Sequence, residues 1–269
     1  MNRINPSRKE LLNRDDRAGN GGSGGRAGKG VVREVTVSAT EQLTPHLKRI
    51  TLTGSALADF PDNQQGAYVK VRVEQDSEKV ALRSYTIQGF DKKKQLLVLD
   101  FVVNLHEGPA TNWASKVAVG DQVSFGGPGP RKMDSFDAST YLLVGDLTSV
   151  NAVIAYAKFI QSKATVYAFI EAPSTDDFIE IEWPANVQAH WYLSEKGVHD
   201  AIINAVKDIK ALPADTHVFI ASEAGVFREL RAYMRDELKL PGDQLFASAY
   251  WKQGKDSDQL SVEKRQDTI

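Results

Sequence analysis

The feature that most constrains this chain is a change of texture near Met133. From Val31 to about Val123 the apolar and β-branched residues come in short runs. Val31–Val37, Lys48–Thr53, Ala67–Val73, Arg83–Gln88, Gln95–Val103 and Gln122–Phe125 read as strands, separated by turn signals such as Phe60-Pro-Asp and Val119-Gly-Asp. Strands this short, with no long helix between them, predict a closed six-stranded antiparallel Greek-key barrel, because closure removes the unpaired strand edges. One helix interrupts the series, from Pro109 to Val117, and it opens on a proline whose missing N–H costs nothing there.

Beyond Met133 the pattern alternates. Tyr141-Leu-Leu-Val144 is a continuous apolar run, as expected of a strand buried on both faces. Helix Ser149–Lys163 carries Val150, Val153, Ile154, Ala157 and Ile160 on one stripe, and strand Thr165–Ile170 follows. Strand Ala189–Leu193, a helix near Glu195–Ile209 burying Val198, Ile202, Ile203, Val206 and Ile209, strand His217–Ala221 and helix Glu223–Leu238 continue the alternation. That order predicts a mostly parallel α/β sheet that takes a ligand at the C-terminal ends of its strands. The expected organisation is a barrel domain over 31–134 and an α/β domain over 135–269. A flexible tail over 1–30 precedes them, because Gly19-Asn-Gly-Gly-Ser-Gly-Gly-Arg-Ala-Gly-Lys-Gly30 is too rich in glycine to pack.

Composition narrows the chemistry. The chain has no cysteine, which removes disulfides, thiolate nucleophiles and cysteine-held iron–sulfur clusters. Its five histidines show no paired ligand spacing, so no bound metal is expected. A formal net charge of -2 gives no attraction to nucleic acid. No apolar run reaches the roughly 18 residues of a membrane helix, and the N-terminus lacks the apolar core of a signal peptide. A cytoplasmic monomer without membrane insertion is the expectation. Electron transfer by such a chain would need a non-covalent organic cofactor.

Five segments carry chemistry. In Arg83-Ser-Tyr-Thr-Ile87 strand alternation puts Arg83 and Tyr85 on one face. An arginine fork there suits a pyrophosphate, a tyrosine ring suits a flat heterocycle, and Thr86 offers a hydroxyl and an N–H. Asp100-Phe-Val-Val-Asn-Leu-His-Glu-Gly-Pro-Ala-Thr-Asn-Trp-Ala114 reads as strand, turn and helix start, a natural phosphate seat; His106 within it reads as a solvated turn residue. Val144-Gly-Asp-Leu-Thr-Ser149 is a second strand-to-helix junction, with Thr148 or Ser149 as cap but without the G-x-G-x-x-G fingerprint. Ala221-Ser-Glu-Ala-Gly225 places small residues after a strand, and Ala249-Tyr-Trp-Lys-Gln-Gly-Lys255 sets two aromatics beside two lysines. Each segment taken alone is also readable as ordinary strand, turn or helix cap, and Arg83–Ile87 more readily so.

Taken together and in this order, from about Val31 to Lys255, the segments resemble the siderophore-interacting protein family, a flavin-dependent branch of the ferredoxin–NADP reductase superfamily. The resemblance implies FAD held by Arg83, Ser84, Tyr85 and Thr86, with its pyrophosphate over Gly108, Pro109, Ala110 and Thr111. Asp100, Val102 and Asn104 would line the same cleft, and Asp146, Thr148 and Trp251 would face the flavin. It implies NADH or NADPH as donor at Gly145, Thr148, Ser149, Ser194, Glu223, Ala224 and Gly225, with ferredoxin as an alternative donor. The implied substrate is a ferric siderophore, attracted by Lys70, Lys132, Lys252 and Lys255 with Lys48 and Arg131 behind them. Departures from the family pattern are Asn104 in place of a common histidine, Gln88 and Lys252 in place of arginines, and Leu147, Ser149 and Asn151 in the G-D-E-T-A-L-P run. Glu171 and Glu195 favour a free ribose 2′-OH, whereas Ser194 and Lys196 could hold a 2′-phosphate, so the donor leans to NADH. A flavin or ferredoxin reductase of the same fold, and a siderophore carrier without turnover, remain alternatives.

Overall fold

The computed structural model describes residues 31–76, 79–194, 197–255 and 259–260. The expected tail over 1–30 lies outside them, as do Glu195 and Lys196. The first half forms β1 (Val32–Thr44), β2 (Leu47–Thr53), β3 (Tyr68–Asp76), β4 (Lys79–Asp91), β5 (Leu96–Val102), α1 (Pro109–Lys116) and β6 (Gln122–Gly129). The six strands close a barrel in the order β1-β2-β5-β4-β3-β6, every pair antiparallel. Alternation builds its interior: Val35 and Val37, Ile50 and Leu52, Val69 and Val71, and Leu97, Leu99 and Phe101 are all buried there. Strand β1 runs seven residues past the apolar run that marks it, because irregularities at Val37/Ala39 and Gln42/Thr44 let it pass Ser38 and go on pairing with β2 from Ala39 to Thr44. Helix α1 packs Ala110, Ala114 and Trp113 against the barrel core.

The second half forms β7 (Thr140–Asp146), α2 (Val150–Phe159), β8 (Thr165–Ala172), β9 (Val187–Leu193), α3 (Asp200–Lys207), β10 (Thr216–Glu223), α4 (Ala224–Ala232) and β11 (Leu245–Trp251). The sheet order is β11-β10-β7-β8-β9, all parallel. Strand β7 is central and buried at every residue, as its unbroken apolar run requires. The chain adds β8 and β9 on one side of β7 and β10 and β11 on the other, so the order reverses between β7 and β10. Helix α2, expected to run to Lys163, ends at Phe159, and other elements depart from expectation as well. Helix α3 begins only at Asp200, which leaves Val198 55% exposed in the preceding loop instead of buried. The last helix gives way to a π-helical turn at Tyr233–Glu237. Strand β11, rich in small residues, showed no strand pattern of its own in the sequence.

Three polar joints tie barrel to sheet. The carboxylate of Asp177, fully buried, accepts from the Thr44 hydroxyl at 2.6 Å, the His46 N–H at 3.0 Å and the His46 ring at 2.7 Å. Asp100 on β5 accepts both Arg49 donors, at 2.8 and 2.9 Å, and the Asn151 amide of α2 at 3.0 Å. The Tyr156 hydroxyl of α2 donates to the Gly66 carbonyl at 3.2 Å and accepts from the Lys132 N–H at 3.0 Å. Among the described residues no helix is long and apolar enough to cross a membrane.

Candidate functional site

The barrel supplies one wall from β4. Arg83 and Tyr85 share a face of the strand and are half-buried, while Ser84 is exposed and Thr86 is buried. The Tyr85 ring lies 4.0 Å from that of Phe101, which in turn meets Trp113 of α1 at 5.4 Å. Burial holds the Tyr85 hydroxyl un-ionised, well above its usual range. Thr86 is reached from the other half of the molecule by the side chain of Tyr250 on β11.

A second element is the turn between β5 and α1. Gly108 precedes the helix without a capping side chain, and Pro109 occupies its first turn, so among the described residues no cap side chain accepts from the N–H groups at the helix start. Beside them opens a cavity of about 460 Å³ lined by Asn104, Leu105, His106, Glu107, Thr111, Asn112, Ser115 and Lys116. A Cβ on Gly108 would meet nothing within 4 Å. Open space, bare N–H groups and a helix N-terminus together fit a phosphate. Asn104 adopts a left-handed backbone, φ 61°, and its amide donates to the Pro45 carbonyl at 3.2 Å. Asp100 and Val102 are buried, Asp100 with both oxygens engaged in the joint to α2 and Val102 in the apolar cluster it shares with the sheet.

The third element is the C-terminal edge of the parallel sheet. Asp146 ends β7 and accepts from the Thr148 N–H at 2.8 Å, the Thr148 hydroxyl at 2.5 Å and the Trp251 indole N–H at 2.7 Å. Even so, burial raises its pKa above the usual carboxylate range. Ser149 is completely buried; its hydroxyl donates to the Ala221 carbonyl at 2.6 Å and accepts from the Asp146 N–H at 3.0 Å. It therefore braces β7 against β10 across the strand-order reversal, and Gly145 is required because a Cβ there would strike it. Glu223 ends β10, caps α4 by accepting from the Gly225 N–H, and accepts from the Gln253 N–H at 3.2 Å. Ala224 is buried, Gly225 exposed, and Ser194 half-buried with its N–H on the Ala172 carbonyl at 2.9 Å.

The structure joins these elements through His106, which is exposed in the turn as the sequence reading expected. The His106 ring lies parallel to that of Trp251, at 6° and 6.2 Å between centroids, and its Nε2 stands 3.4 Å from the Thr111 hydroxyl. Desolvation lowers the His106 pKa, opposed by Glu107. Trp251 thus bridges the α1 turn to Asp146. A single histidine in a polar loop gives no signal of this; only the folded position of β11 does. The lysines are more dispersed. Lys70 sits opposite Ser84 across β3 and β4, and Lys252 pairs with Lys255 in the turn after β11. Lys132 lies beside Tyr156, and Lys48 reaches the carbonyls of Ser115 and Val117 at 3.4 Å. Arg131 is bound to the carbonyls of Asn63 and Gln65.

Residues 36–82 and 72–132 match the model of the siderophore-interacting FAD-binding domain, and residues 138–254 match that of the siderophore-interacting protein. Ferric vibriobactin reductase ViuB of Vibrio cholerae is 26% identical over 243 residues, covering 82% of this chain and 90% of the relative. The crystal structure of the siderophore-interacting protein SipS from Aeromonas hydrophila superposes with a TM-score of 0.79 at 27% identity, over 89% of this chain and 98% of that one. The ferredoxin–NADP+ reductase of Plasmodium falciparum, 10% identical with a TM-score of 0.61 over 81% of this chain and 96% of that one, shares the fold alone. With a barrel that carries the FAD-binding match and a sheet that carries the other, the chain belongs to the siderophore-interacting protein family.

Proposed function

We propose that the protein reduces ferric siderophores to release Fe(II), using FAD and a nicotinamide donor. The observation that carries this reading is the meeting, through Trp251, of an uncapped helix start beside an open cavity with the strand-order reversal of the sheet. The first arrangement suits a phosphate-bearing cofactor and the second a dinucleotide. Arg83, Ser84, Tyr85 and Thr86 on β4 and Gly108, Pro109, Ala110 and Thr111 at the α1 start would hold FAD. Gly145, Thr148, Ser194, Glu223 and Gly225 would form the donor side, with Ser149 bracing it from beneath and Ala224 packed behind.

When bound, FAD supplies the exchange between a two-electron hydride donor and a one-electron acceptor. One NADH or NADPH then reduces two ferric ions and releases one proton. The chain's own groups position and exclude. Tyr85, backed by Phe101, gives a flat apolar wall that keeps water from one side of the cleft. Trp251 is fixed by its bond to Asp146 and by His106, so the site is ordered before substrate arrives. Because Fe(II) is held far more weakly than Fe(III) by siderophores, reduction also frees the metal. Of the four lysines expected to attract the chelate, Lys252 and Lys255, paired in the turn that follows Trp251, would give an anionic chelate a cationic approach, while Lys70 and Lys132 stand on other elements.

The test is steady-state turnover with a panel of ferric chelates against free flavin and ferredoxin. The reading expects ferric chelates to be reduced fastest. Charge reversal at Lys252 and Lys255 should raise KM for an anionic chelate several-fold with little change in kcat. Preference for ferredoxin or free flavin, or an unchanged KM, contradicts it.

A further inference from the structure

Of the polar joints between barrel and sheet, one connects the two walls between which electrons would pass. Its barrel side is Asp100 on β5. Strand register sets Asp100 opposite Arg49 on β2, and Arg49 grips it with two donors, Nε to Oδ1 at 2.8 Å and Nη2 to Oδ2 at 2.9 Å. The Asp100 side chain is only 2% exposed. Leu99, just before it, pairs with Ile87, the residue after Thr86, so Asp100 adjoins the β4 segment that would hold the flavin. The sheet side of the joint is Asn151, buried in the first turn of α2. Its amide donates to Asp100 Oδ2 at 3.0 Å. Two residues earlier, Ser149 fastens the same turn to β10 by donating to the Ala221 carbonyl at 2.6 Å. The loop 145–149, at the strand-order reversal, is thus tied to the sheet by one side chain and to the barrel by another. The Asp177 joint binds Thr44 and His46, which belong to neither wall.

The spacing of those walls governs the first half of the reaction. There the donor's nicotinamide gives up a hydride, two electrons with one proton, and FAD takes it up with no third reactant. Such a transfer needs reacting atoms about 3–3.5 Å apart, and a displacement of about 1 Å can cost on the order of a hundredfold in rate. The second half, electron release to a ferric chelate, does not involve the loop. Resting on the nicotinamide reading above, we propose that Asn151, acting through Asp100, is a positioning residue that sets the distance between the donor loop and the flavin wall. Arg49 supports it, because a guanidinium fork holds the carboxylate in one orientation and the α2 amide meets a fixed acceptor. Removing the amide leaves Asp100 with both Arg49 bonds, so the loop is released from the barrel while the barrel keeps its own ion pair.

The experiment is anaerobic stopped-flow on the FAD-loaded full chain, timing flavin bleaching by NADH or NADPH separately from recovery with a ferric chelate. The long-wavelength charge-transfer band of flavin stacked on nicotinamide is the second readout. Asn151→Leu should slow bleaching at saturating donor by at least about tenfold and weaken that band, with FAD content, donor KM and recovery rate within about twofold of wild type. Arg49→Lys keeps the charge but loses the fork, and should slow bleaching several-fold with the same split. Unchanged bleaching and an unchanged band in folded Asn151→Leu overturn the inference. So does a parallel fall in bleaching, recovery and FAD content, which marks a joint that only stabilises. If Asn151→Leu does not fold, the split in Arg49→Lys decides. If neither nucleotide bleaches the wild type, the nicotinamide reading falls and takes the inference with it. If the wild type bleaches and the variants match it, the inference falls alone.

Discussion

His199 shows how one buried pair couples charge to stability. The hydrogen bond to Glu171 raises its pKa above the ordinary 6.5, against an opposing desolvation. The stabilisation that protonated His199 provides is therefore complete below about pH 6.5 and is lost as pH rises through its higher folded value. Unfolding free energy of the wild type should fall from pH 6.5 into the alkaline range more steeply than that of His199→Gln. Denaturant titrations of the two proteins at several pH values give the comparison, and parallel slopes would refute it. None of this pairing was visible in the sequence. Glu171 was noted as an acid after a strand, but His199 stands 28 residues away in a loop, and only the parallel sheet brings them together.

At the scale of elements, the turn into α1 separates binding from stability. Gly108 has an extended backbone and nothing where its Cβ would go, so Gly108→Ala should leave the melting temperature within about 2 °C of wild type. If the cofactor phosphate sits against that backbone, the same change should weaken FAD binding at least about tenfold, read by the flavin content of dialysed protein. Gly66 is the contrasting case. Its φ is 77° and a Cβ would lie 2.8 Å from the Tyr156 ring, so Gly66→Ala should destabilise by about 2–3 kcal/mol. The elements themselves were largely legible. Short β-rich runs marked the six barrel strands, and apolar runs set between helical stripes marked β7 to β10. What escaped was decided by tertiary pairing: the bulged end of β1, and β11, which pairs with β10 and packs into the apolar clusters on both faces of the sheet.

For the whole molecule, the question is what fixes barrel to sheet, since the site spans both. The Asp177 joint is the most exacting. Removing its carboxylate takes the acceptor from the buried Thr44 hydroxyl and the partly buried His46 ring, and leaves the His46 N–H only the Thr44 hydroxyl at 3.3 Å. Asp177→Ala should cost about 2–4 kcal/mol in chemical denaturation, and a change within about 0.5 kcal/mol would mean the joint is not a determinant of stability. The candidate site was legible in its parts, because the β4 motif, the Gly108-Pro109 turn and Gly145-Asp146 lie on contiguous segments. Its closure by Trp251 on His106 and Asp146 was not, because it joins residues more than a hundred positions apart.

The central claim is flavin-mediated reduction of a chelated ferric ion, and one anaerobic titration tests it most directly. The purified protein should be yellow, bleach on addition of NADH or NADPH, and recover its colour on addition of a ferric siderophore. Two ferric ions should be consumed per flavin, with Fe(II) trapped by a ferrous-specific chelator. A colourless protein that binds no FAD, or a reduced flavin that ferric siderophores leave bleached, would contradict the account.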